Sequence, residues 1–275
     1  MKGARVLFIL FILTFVSSTR GQQQTQTAPS TPSRTGWLNI QLPELPAPPN
    51  KPAQFSYNFE PSRESFEIYI PPDYSPETSY GVFAWVSPGD EAGTPRRFEP
   101  LLRQWKLLAV SAARCGNEQS IDRRIGLVMS AILQLSKSLN IDRHRLIISG
   151  FSGGGRISAM AGFLHPEFWR GAIGCAGSTY YKGYSMLMPV GASSPGINGI
   201  YPDLVSEQNV KDARKNVRFV VITGPGDMNL NDSRSIHRAL RRDSFQSLLI
   251  EEPGLGGHHI ANVESMAKAL EFVLK

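Results

Sequence analysis

The sequence has few of the features that mark disulfide-stabilised, metal-binding or nucleic-acid-binding proteins. It contains two cysteines among 275 residues, and no cluster of histidines and acids has the spacing of metal ligands. The formal net charge is +6, but lysine and arginine are scattered among acids with no basic run longer than a pair. A nucleic-acid footprint needs clustered positive charge. We therefore expect no metal, no other cofactor and no nucleic-acid partner.

Long apolar runs are also rare, and the clearest one lies at the N-terminus. Lys2 and Arg5 precede an almost wholly apolar stretch at 6–16, and small and polar residues follow it up to Gly21. About eleven residues are too few to cross a hydrocarbon core of about 30 Å as a helix. The pattern predicts a cleaved secretory signal over 1–21, with an uncleaved anchor as the alternative. We expect a secreted or periplasmic protein without stable membrane insertion after processing.

Residues 22–53 are poor in the apolar residues that build a core. Gln, Thr, Ser and Pro dominate this stretch, so it buries too little apolar surface to offset its ordering entropy. We interpret it as a linker before one domain at 54–275, a common size for an α/β domain. A short apolar patch at 37–40 is either an edge strand or a clip onto that domain.

From residue 55 onward, short apolar runs alternate with amphipathic stretches. Apolar runs bounded by turn residues predict strands, and apolar residues at helical spacing predict helices. The predicted strands are 65–70, 80–86, 107–112, 145–149, 169–174, 218–223 and 246–251. The predicted helices are 98–105, 122–139, 156–164, 233–242 and 263–274. This alternation indicates an α/β fold, with a mostly parallel central sheet and helices on both faces.

One junction between a predicted strand and a predicted helix carries a chemical motif. The pentapeptide at 150–154, Gly-Phe-Ser-Gly-Gly, matches G-x-S-x-G. Between a strand and a helix, this motif is typical of the nucleophile elbow of α/β-hydrolases, where a sharp turn exposes the serine hydroxyl. A phosphate-binding loop would need a lysine that is missing here. The sequence therefore predicts the α/β-hydrolase fold with Ser152 as a nucleophile.

A nucleophilic serine needs a histidine base and a carboxylate that orients this base. In α/β-hydrolases the order along the chain is serine, acid, histidine. Asp227 and His258 occur in that order, each after its own predicted strand, and the histidine follows a glycine-rich run. His259 is the alternative base. Asp232 is the alternative acid, although its surroundings are typical of a helix cap.

An acyl-transfer site also needs donors for the oxyanion that forms on the substrate. The backbone N–H of Gly153, the residue after the serine, is the first expected donor. The loop after the strand 80–86 should supply the second. Pro88 in that loop has no N–H, so the expected donor is Gly89 or Asp90.

Tyrosines are concentrated in the segment 177–210, between two predicted strands. Tyr180, Tyr181 and Tyr184 either line a substrate pocket for an acyl or sugar group or pack as ordinary loop residues. The sequence leaves both interpretations open.

The two cysteines, Cys115 and Cys175, follow strands at the same predicted edge of the sheet. Oxidation would join them in an exported protein if they could meet. In the usual strand order two other strands separate them, and three spacings of ~4.8 Å make about 14 Å. A disulfide tolerates a Cα separation of only ~7 Å. Movable loops could close that gap, so the sequence leaves the bridge open.

Four stretches of the sequence match a known family. They are Tyr69–Tyr74, Asp122–Arg124, Gly150–Arg156 and Phe168–Ala172. With these stretches the sequence resembles secreted esterases related to polyhydroxybutyrate depolymerases and feruloyl esterases. The resemblance covers roughly 66–275 and implies hydrolysis of a small-molecule or polysaccharide-linked ester through an acyl-serine intermediate. It places Ser152, Asp227 and His258 at the family's triad positions.

The sequence departs from that family at two places, which keeps other functions open. The loop after strand 80–86 lacks the usual His-Gly, and Gly257 is an extra residue before the histidine. One alternative is a peptidase or acyltransferase that uses the same triad. The other is a non-catalytic envelope-binding protein that kept the fold and lost turnover.

Overall fold

The predicted apolar runs form one central sheet in the computed structural model, which describes residues 31–182, 204–254 and 256–275. The strands are β1 (Gly36–Ile40), β2 (Phe66–Ile70), β3 (Tyr80–Val86), β4 (Leu107–Ala112), β5 (Ile141–Phe151), β6 (Gly171–Cys175), β7 (Arg218–Thr223) and β8 (Gln246–Glu251). Their order across the sheet is β1-β2-β4-β3-β5-β6-β7-β8. β2 is antiparallel to β1 and β4, and the other neighbours are parallel. The sheet is therefore mostly parallel, as predicted.

Helices cover both faces of this sheet. They are α1 (Glu99–Gln104), α2 (Ile121–Leu135), α3 (Gly153–Leu164), α4 (Glu207–Asn216), α5 (Leu230–Arg242) and α6 (Val263–Leu274). α2, α3, α4 and α5 contribute to one apolar core, whereas α1 and α6 contribute to the other. Within β7, Phe219 and Val221 face the first core, and Val220 and Ile222 face the second. Burial on both faces explains why the strands read as continuous apolar runs. None of the described helices is long and apolar enough to cross a bilayer.

The apolar patch at 37–40 belongs to the edge strand β1. β1 pairs antiparallel with β2, and Trp37 fixes it to the domain. The Trp37 Nε1–H donates to Glu99 Oε2 at 2.8 Å, and the Arg96 guanidinium lies 3.8 Å above the indole ring. Leu42, just after the strand, is buried in the core. The folded domain therefore begins before the predicted boundary at residue 54.

The parallel strands direct their carboxyl ends to a single edge of the sheet, which we call the carboxyl edge. The loops after β3, β4, β5, β7 and β8 meet there. Cys115 and Cys175 also lie near this edge, but both are buried free thiols. β3 and β5 separate their strands, which answers the open question of a disulfide. Burial raises the pKa of each thiol to about 12, so neither is a nucleophile at neutral pH.

Candidate active site

Ser152 occupies a strained turn between β5 and α3. Its backbone angles are φ 55° and ψ −118°, a combination that non-glycine residues rarely adopt. The Ser152 N–H donates to the carbonyl of Cys175 at 2.9 Å, which fixes the turn to the neighbouring strand β6. The serine thus stands at the carboxyl edge in the conformation of a nucleophile elbow.

Two glycines allow the elbow to turn so sharply. A Cβ on Gly154 would clash with the carbonyl oxygen of Val86 at the end of β3, and a Cβ on Gly150 would lie 2.5 Å from the Gly154 carbonyl group. Any larger side chain at either position would push α3 away from the sheet. The close approach brings the first turn of α3 directly behind the serine.

Asp227 is a buried carboxylate with three hydrogen-bond donors. Thr223 Oγ1–H donates to Oδ2 at 2.8 Å, and the backbone N–H of Asn229 donates to Oδ1 at 3.0 Å. His258 Nδ1 lies 2.9 Å from Oδ1, and the Asp227 side chain is fully buried. A buried carboxylate accepts at this distance, so Nδ1 carries the proton and Nε2 is the basic nitrogen of the ring.

His258 lies beside the elbow. Its ring packs on the ring of Phe151, with 4.8 Å between the centroids, and 19% of its side chain is exposed. Within the described ranges no hydrogen bond joins His258 Nε2 to Ser152 Oγ, a contact that often tightens only when substrate binds. His259 is exposed, and no described hydrogen bond joins it to Asp227. Of the two histidines, the geometry pairs His258 with the acid.

The loop that carries His258 is held by two residues that the sequence reasoning missed. Arg97 Nη2 donates to the carbonyls of Ile260 and Ala261 at 2.7 and 2.8 Å. The buried carboxylate of Glu252 accepts from the N–H of Asn262 at 2.9 Å. These bonds fix the loop on both sides of the histidine pair, so the base has a defined position.

Asn229 is a third residue that the sequence reasoning missed. Its Nδ2 donates to the carbonyl of Ala176 at 2.8 Å, and its Oδ1 accepts from Arg156 Nη2 at 3.4 Å. Together with its N–H bond to Asp227, these contacts tie the acid loop to β6 and α3. No pattern of spacing marks an asparagine in a loop, so sequence alone gave no signal for it.

The predicted alternative acid has a different position. α5 begins at Leu230 with Asn229 as its N-cap, so the prediction of Asp232 as a helix cap is wrong. Asp232 lies in the first turn instead, half-buried near Arg156. Burial raises the pKa of its carboxyl above the usual range, and the guanidinium of Arg156 opposes this rise.

The structure treats the two predicted oxyanion donors differently. Gly153 is the first residue of α3, where a backbone N–H has no partner within the helix. The Gly89 N–H donates to Ser87 Oγ at 3.1 Å within its own turn. Gly153 is therefore placed to donate to a substrate, whereas Gly89 is already engaged.

Of the two interpretations of Tyr180 and Tyr181 that the sequence leaves open, the structure supports packing in the core over lining a substrate pocket. Both are buried, and both hydroxyls donate to Asp243 Oδ2. The Tyr181 ring packs on Phe163, near the end of α3, and on Phe245, just before β8. These neighbours lie at the amino ends of the strands, opposite Ser152. The two tyrosines occupy this position because their rings are buried among apolar side chains and a single carboxylate accepts from both hydroxyls. Tyr184 lies outside the described residues.

No metal site is evident in 31–182, 204–254 and 256–275. No three His, Cys, Asp or Glu side chains in these ranges come together in a group that could hold a metal ion.

A family comparison identifies the class to which this site belongs. Residues 126–275 match the model of the prolyl oligopeptidase family, Peptidase_S9. The chain belongs to this family. The matched region contains the elbow, Asp227 and His258. No curated protein matches the sequence.

Solved structures show the same fold at low sequence identity. An arylesterase is 14% identical with a TM-score of 0.57, and the match covers 90% of this chain and 86% of that one. A ferulic acid esterase is 16% identical with a TM-score of 0.56, covering 76% and 91%. A Bacteroides ovatus ATCC 8483 protein described as a dipeptidyl aminopeptidase IV is 13% identical with a TM-score of 0.57, covering 76% and 33%.

These similarities establish the α/β-hydrolase fold that the elbow predicts. The chain spans only a third of the length of the dipeptidyl aminopeptidase structure. Family and fold are together those of serine hydrolases of the α/β-hydrolase type.

Proposed function

We propose that the protein is a secreted serine esterase that hydrolyses a carboxylic ester through an acyl-serine intermediate. The observation that carries the proposal is the Asp227–His258 pair, joined at 2.9 Å and placed beside the strained turn of Ser152. The resemblance to esterases related to polyhydroxybutyrate depolymerases and feruloyl esterases supports the same chemistry. A small-molecule ester or an ester linked to a polysaccharide is the substrate class that we propose.

Acylation begins with the serine. Ser152 Oγ attacks the ester carbonyl carbon as its proton moves to His258 Nε2, and the C=O π pair becomes an oxyanion. Asp227 keeps the imidazole in the correct tautomer and stabilises its positive charge. The intermediate collapses when the bond to the alcohol oxygen breaks and His258 returns the proton to that oxygen. The products of this step are an acyl-serine and a free alcohol.

Deacylation repeats the same proton transfers with water. His258 Nε2 takes a proton from water, and the hydroxyl oxygen attacks the acyl carbon. The second tetrahedral intermediate then releases Ser152, which regains its proton from His258. The acid leaves, and the enzyme returns to its starting state without a metal or cofactor in any step.

The structural matches include both esterases and peptidases. The chain matches nearly the whole of an arylesterase and of a ferulic acid esterase, 86% and 91% of their lengths. It matches only 33% of a dipeptidyl aminopeptidase and 36% of a puromycin-hydrolysing peptidase of Mycobacterium tuberculosis. Peptide hydrolysis is the second candidate, because the family model is that of a peptidase family.

The proposed secretion rests on the N-terminal pattern at 1–21. Expression of the full chain in a secreting host, followed by mass spectrometry of the exported protein, tests it. A mature N-terminus near residue 22 supports the proposal, and retention of an intact N-terminus in the membrane fraction contradicts it.

The decisive experiment compares ester and amide substrates with the purified chain. Hydrolysis of p-nitrophenyl acetate and butyrate is measured beside that of dipeptide p-nitroanilides. Ser152→Ala should lower kcat by about 10⁴-fold or more, whereas Ser138→Ala, at an exposed serine, should change nothing. His258→Ala should abolish turnover, whereas the neighbouring His259→Ala should retain it.

Three outcomes separate the candidate functions. Faster turnover of the esters supports the esterase, and faster turnover of the anilides supports the peptidase. If the wild type shows neither activity and a fluorophosphonate fails to label Ser152, the protein is a non-catalytic binder on a hydrolase fold.

A further inference from the structure

We propose that Asn117 is a catalytic residue whose side-chain amide supplies the second oxyanion donor. The inference rests on the proposed function, since an oxyanion forms only if Ser152 attacks a carbonyl. Asn117 lies in the loop between β4 and α2, far in sequence from the elbow and outside every motif that pointed to the active site.

The position of the amide is the first argument. A Cβ built on Gly153 would clash with Asn117 Oδ1 and would lie 3.1 Å from Nδ2. The amide group therefore lies against the residue that follows the nucleophile, whose N–H is the first oxyanion donor. A half-turn about χ2 presents the Nδ2–H₂ group where the oxygen now lies, because an amide is planar and carries a donor and an acceptor.

The side of the serine on which Asn117 lies is the second argument. The acid and base arrive from β7 and β8, on one side of β5 in the sheet. Asn117 arrives from β4, on the other side, next to β3. The base that takes the proton of Ser152 and the donors that bind the carbonyl oxygen must lie on different sides of the serine. The elbow separates the Asn117 amide from His258 in this way.

The state of the other candidate donors is the third argument. Pro88 has no N–H, and the Gly89 N–H donates to Ser87 Oγ, so of the backbone donors predicted in this loop the Asp90 N–H alone is left to compete with the Asn117 amide. Asn117 is an exposed residue, and no hydrogen bond of the described residues uses its amide. A side-chain amide donor can serve this role as well as a backbone N–H.

The backbone that carries Asn117 is fixed, as an oxyanion donor requires. The Asn117 N–H donates to the carbonyl of Pro88 at 2.9 Å, and the Gly116 N–H donates to Asp90 Oδ1 at 2.8 Å. The buried Arg124 joins the same two loops through the carbonyls of Cys115 and Ser87 at 2.8 and 3.0 Å. These bonds give a structural reason for the arginine at the start of α2.

The contribution of the amide arises only as the tetrahedral intermediate forms. While Oγ bonds to the carbonyl carbon and its proton passes to His258, the carbonyl oxygen gains the electron pair of the broken π bond. The Gly153 N–H and the Asn117 Nδ2–H then donate to that oxygen. A donor aimed at charge that appears only in the transition state raises kcat more than it changes substrate binding.

The test measures kcat and KM for p-nitrophenyl acetate with wild type, Asn117→Ala and Asn117→Asp. Loss of one oxyanion donor should lower kcat by about 10²–10³-fold with little change in KM. Asn117→Asp keeps the size of the side chain but offers no donor and adds negative charge, so it should be at least as impaired. Glu118→Ala, an exposed neighbour in the same loop, is the matched control and should behave as wild type.

A transition-state analogue distinguishes a catalytic role from a structural one. An aryl trifluoromethyl ketone adds Ser152 Oγ to its carbonyl and forms a hemiketal oxyanion in the same donors. Its inhibition constant should rise in Asn117→Ala by a factor similar to the fall in kcat/KM, while the thermal midpoint stays at the wild-type value. A merely structural residue would change the midpoint or KM and would not show this parallel.

The outcomes separate failure of the inference from failure of the proposed function. A wild type without turnover and without fluorophosphonate labelling overturns both. An active wild type whose Asn117→Ala variant stays within about threefold in kcat and in inhibitor affinity overturns the inference alone. In that case a backbone group of the loop after β3 is the second donor.

Discussion

Two carboxylates flank α5, Asp227 buried and Asp243 partly exposed, and their comparison shows what makes one of them catalytic. Asp227 precedes the helix at the carboxyl edge, and Asp243 directly follows it at the opposite edge. Asp227 accepts from a hydroxyl, a backbone N–H and an imidazole. Asp243 accepts from two tyrosine hydroxyls and the guanidinium of Arg242. The two groups are equally well satisfied, so the difference lies in their donors.

The groups that donate to Asp243 do not take part in proton transfer. Hydrogen bonds from Arg242 hold the pKa of Asp243 well below its usual range, and burial, together with the bond to Asp243, raises the pKa of Tyr180. Tyr180 and Arg242 therefore keep their protons near neutral pH. At Asp227 one donor, His258, has a second ring nitrogen that takes part in no hydrogen bond of the described residues. Catalysis requires a ring nitrogen that is free to accept the serine proton, whereas stabilisation of the fold does not.

The largest effect that this comparison predicts is the loss of activity in Asp227→Asn. The amide would favour the wrong imidazole tautomer and would no longer stabilise the charge on His258, so kcat should fall by about 10⁴-fold. Ester hydrolysis under saturating substrate measures it. Asp232→Asn, five residues along the chain in the first turn of α5, is the matched control and should keep wild-type kcat. Comparable losses in both variants would contradict the assignment of the acid.

The next effect is the loss of stability in Asp243→Ala. Truncation leaves the hydroxyls of Tyr180 and Tyr181 without their acceptor in a buried site, and we expect the free energy of unfolding to fall by about 2–3 kcal/mol. Urea denaturation measures this change, while kcat of the folded protein should stay near the wild-type value. Glu91→Ala, at an exposed acid without described partners, is the control. If Asp243→Ala lowered kcat of the folded protein while the free energy of unfolding stayed unchanged, the proposed division between the two carboxylates would be wrong.

The two carboxylate sites also differ in how much of them the sequence predicts. Asp227 and His258 follow β7 and β8, which the continuous apolar runs predict with their observed bounds. Their order along the chain then points to a triad. Asp243 has no such signal, because the partners Tyr180 and Tyr181 are remote in sequence and tyrosine suits a pocket as well as a core. Only the three-dimensional path of the chain after β6 decides whether these tyrosines lie in a pocket or in the core.

Residues that act through a loop or through a few contacts escape the sequence for related physical reasons. α4 was not predicted, because only Val210 and Ala213 of its ten residues are buried and the apolar period is therefore absent. Asn117 and Asn229 are single polar residues in loops, where asparagine is common for its turn geometry alone. Apolar periodicity predicts what is buried in regular elements. It carries no information on which loop side chains meet across the sheet.

The smallest effect concerns how stability falls at acid pH, and it tests Asp243 without truncating its side chain. Because its pKa is lowered in the folded protein, the bound carboxylate stabilises the fold fully above the pKa of the unfolded chain, about 4. This contribution is lost as the pH falls below that value, since the unfolded chain then takes up a proton that the folded protein resists. Asp243→Asn cannot titrate, so its urea midpoint should fall less between pH 5 and pH 3 than that of the wild type. Other carboxylates affect both proteins alike, and the difference between the two curves isolates Asp243. Parallel curves would mean that Asp243 is no better bound in the folded protein than in the unfolded chain, and the comparison with Asp227 would then rest on geometry alone.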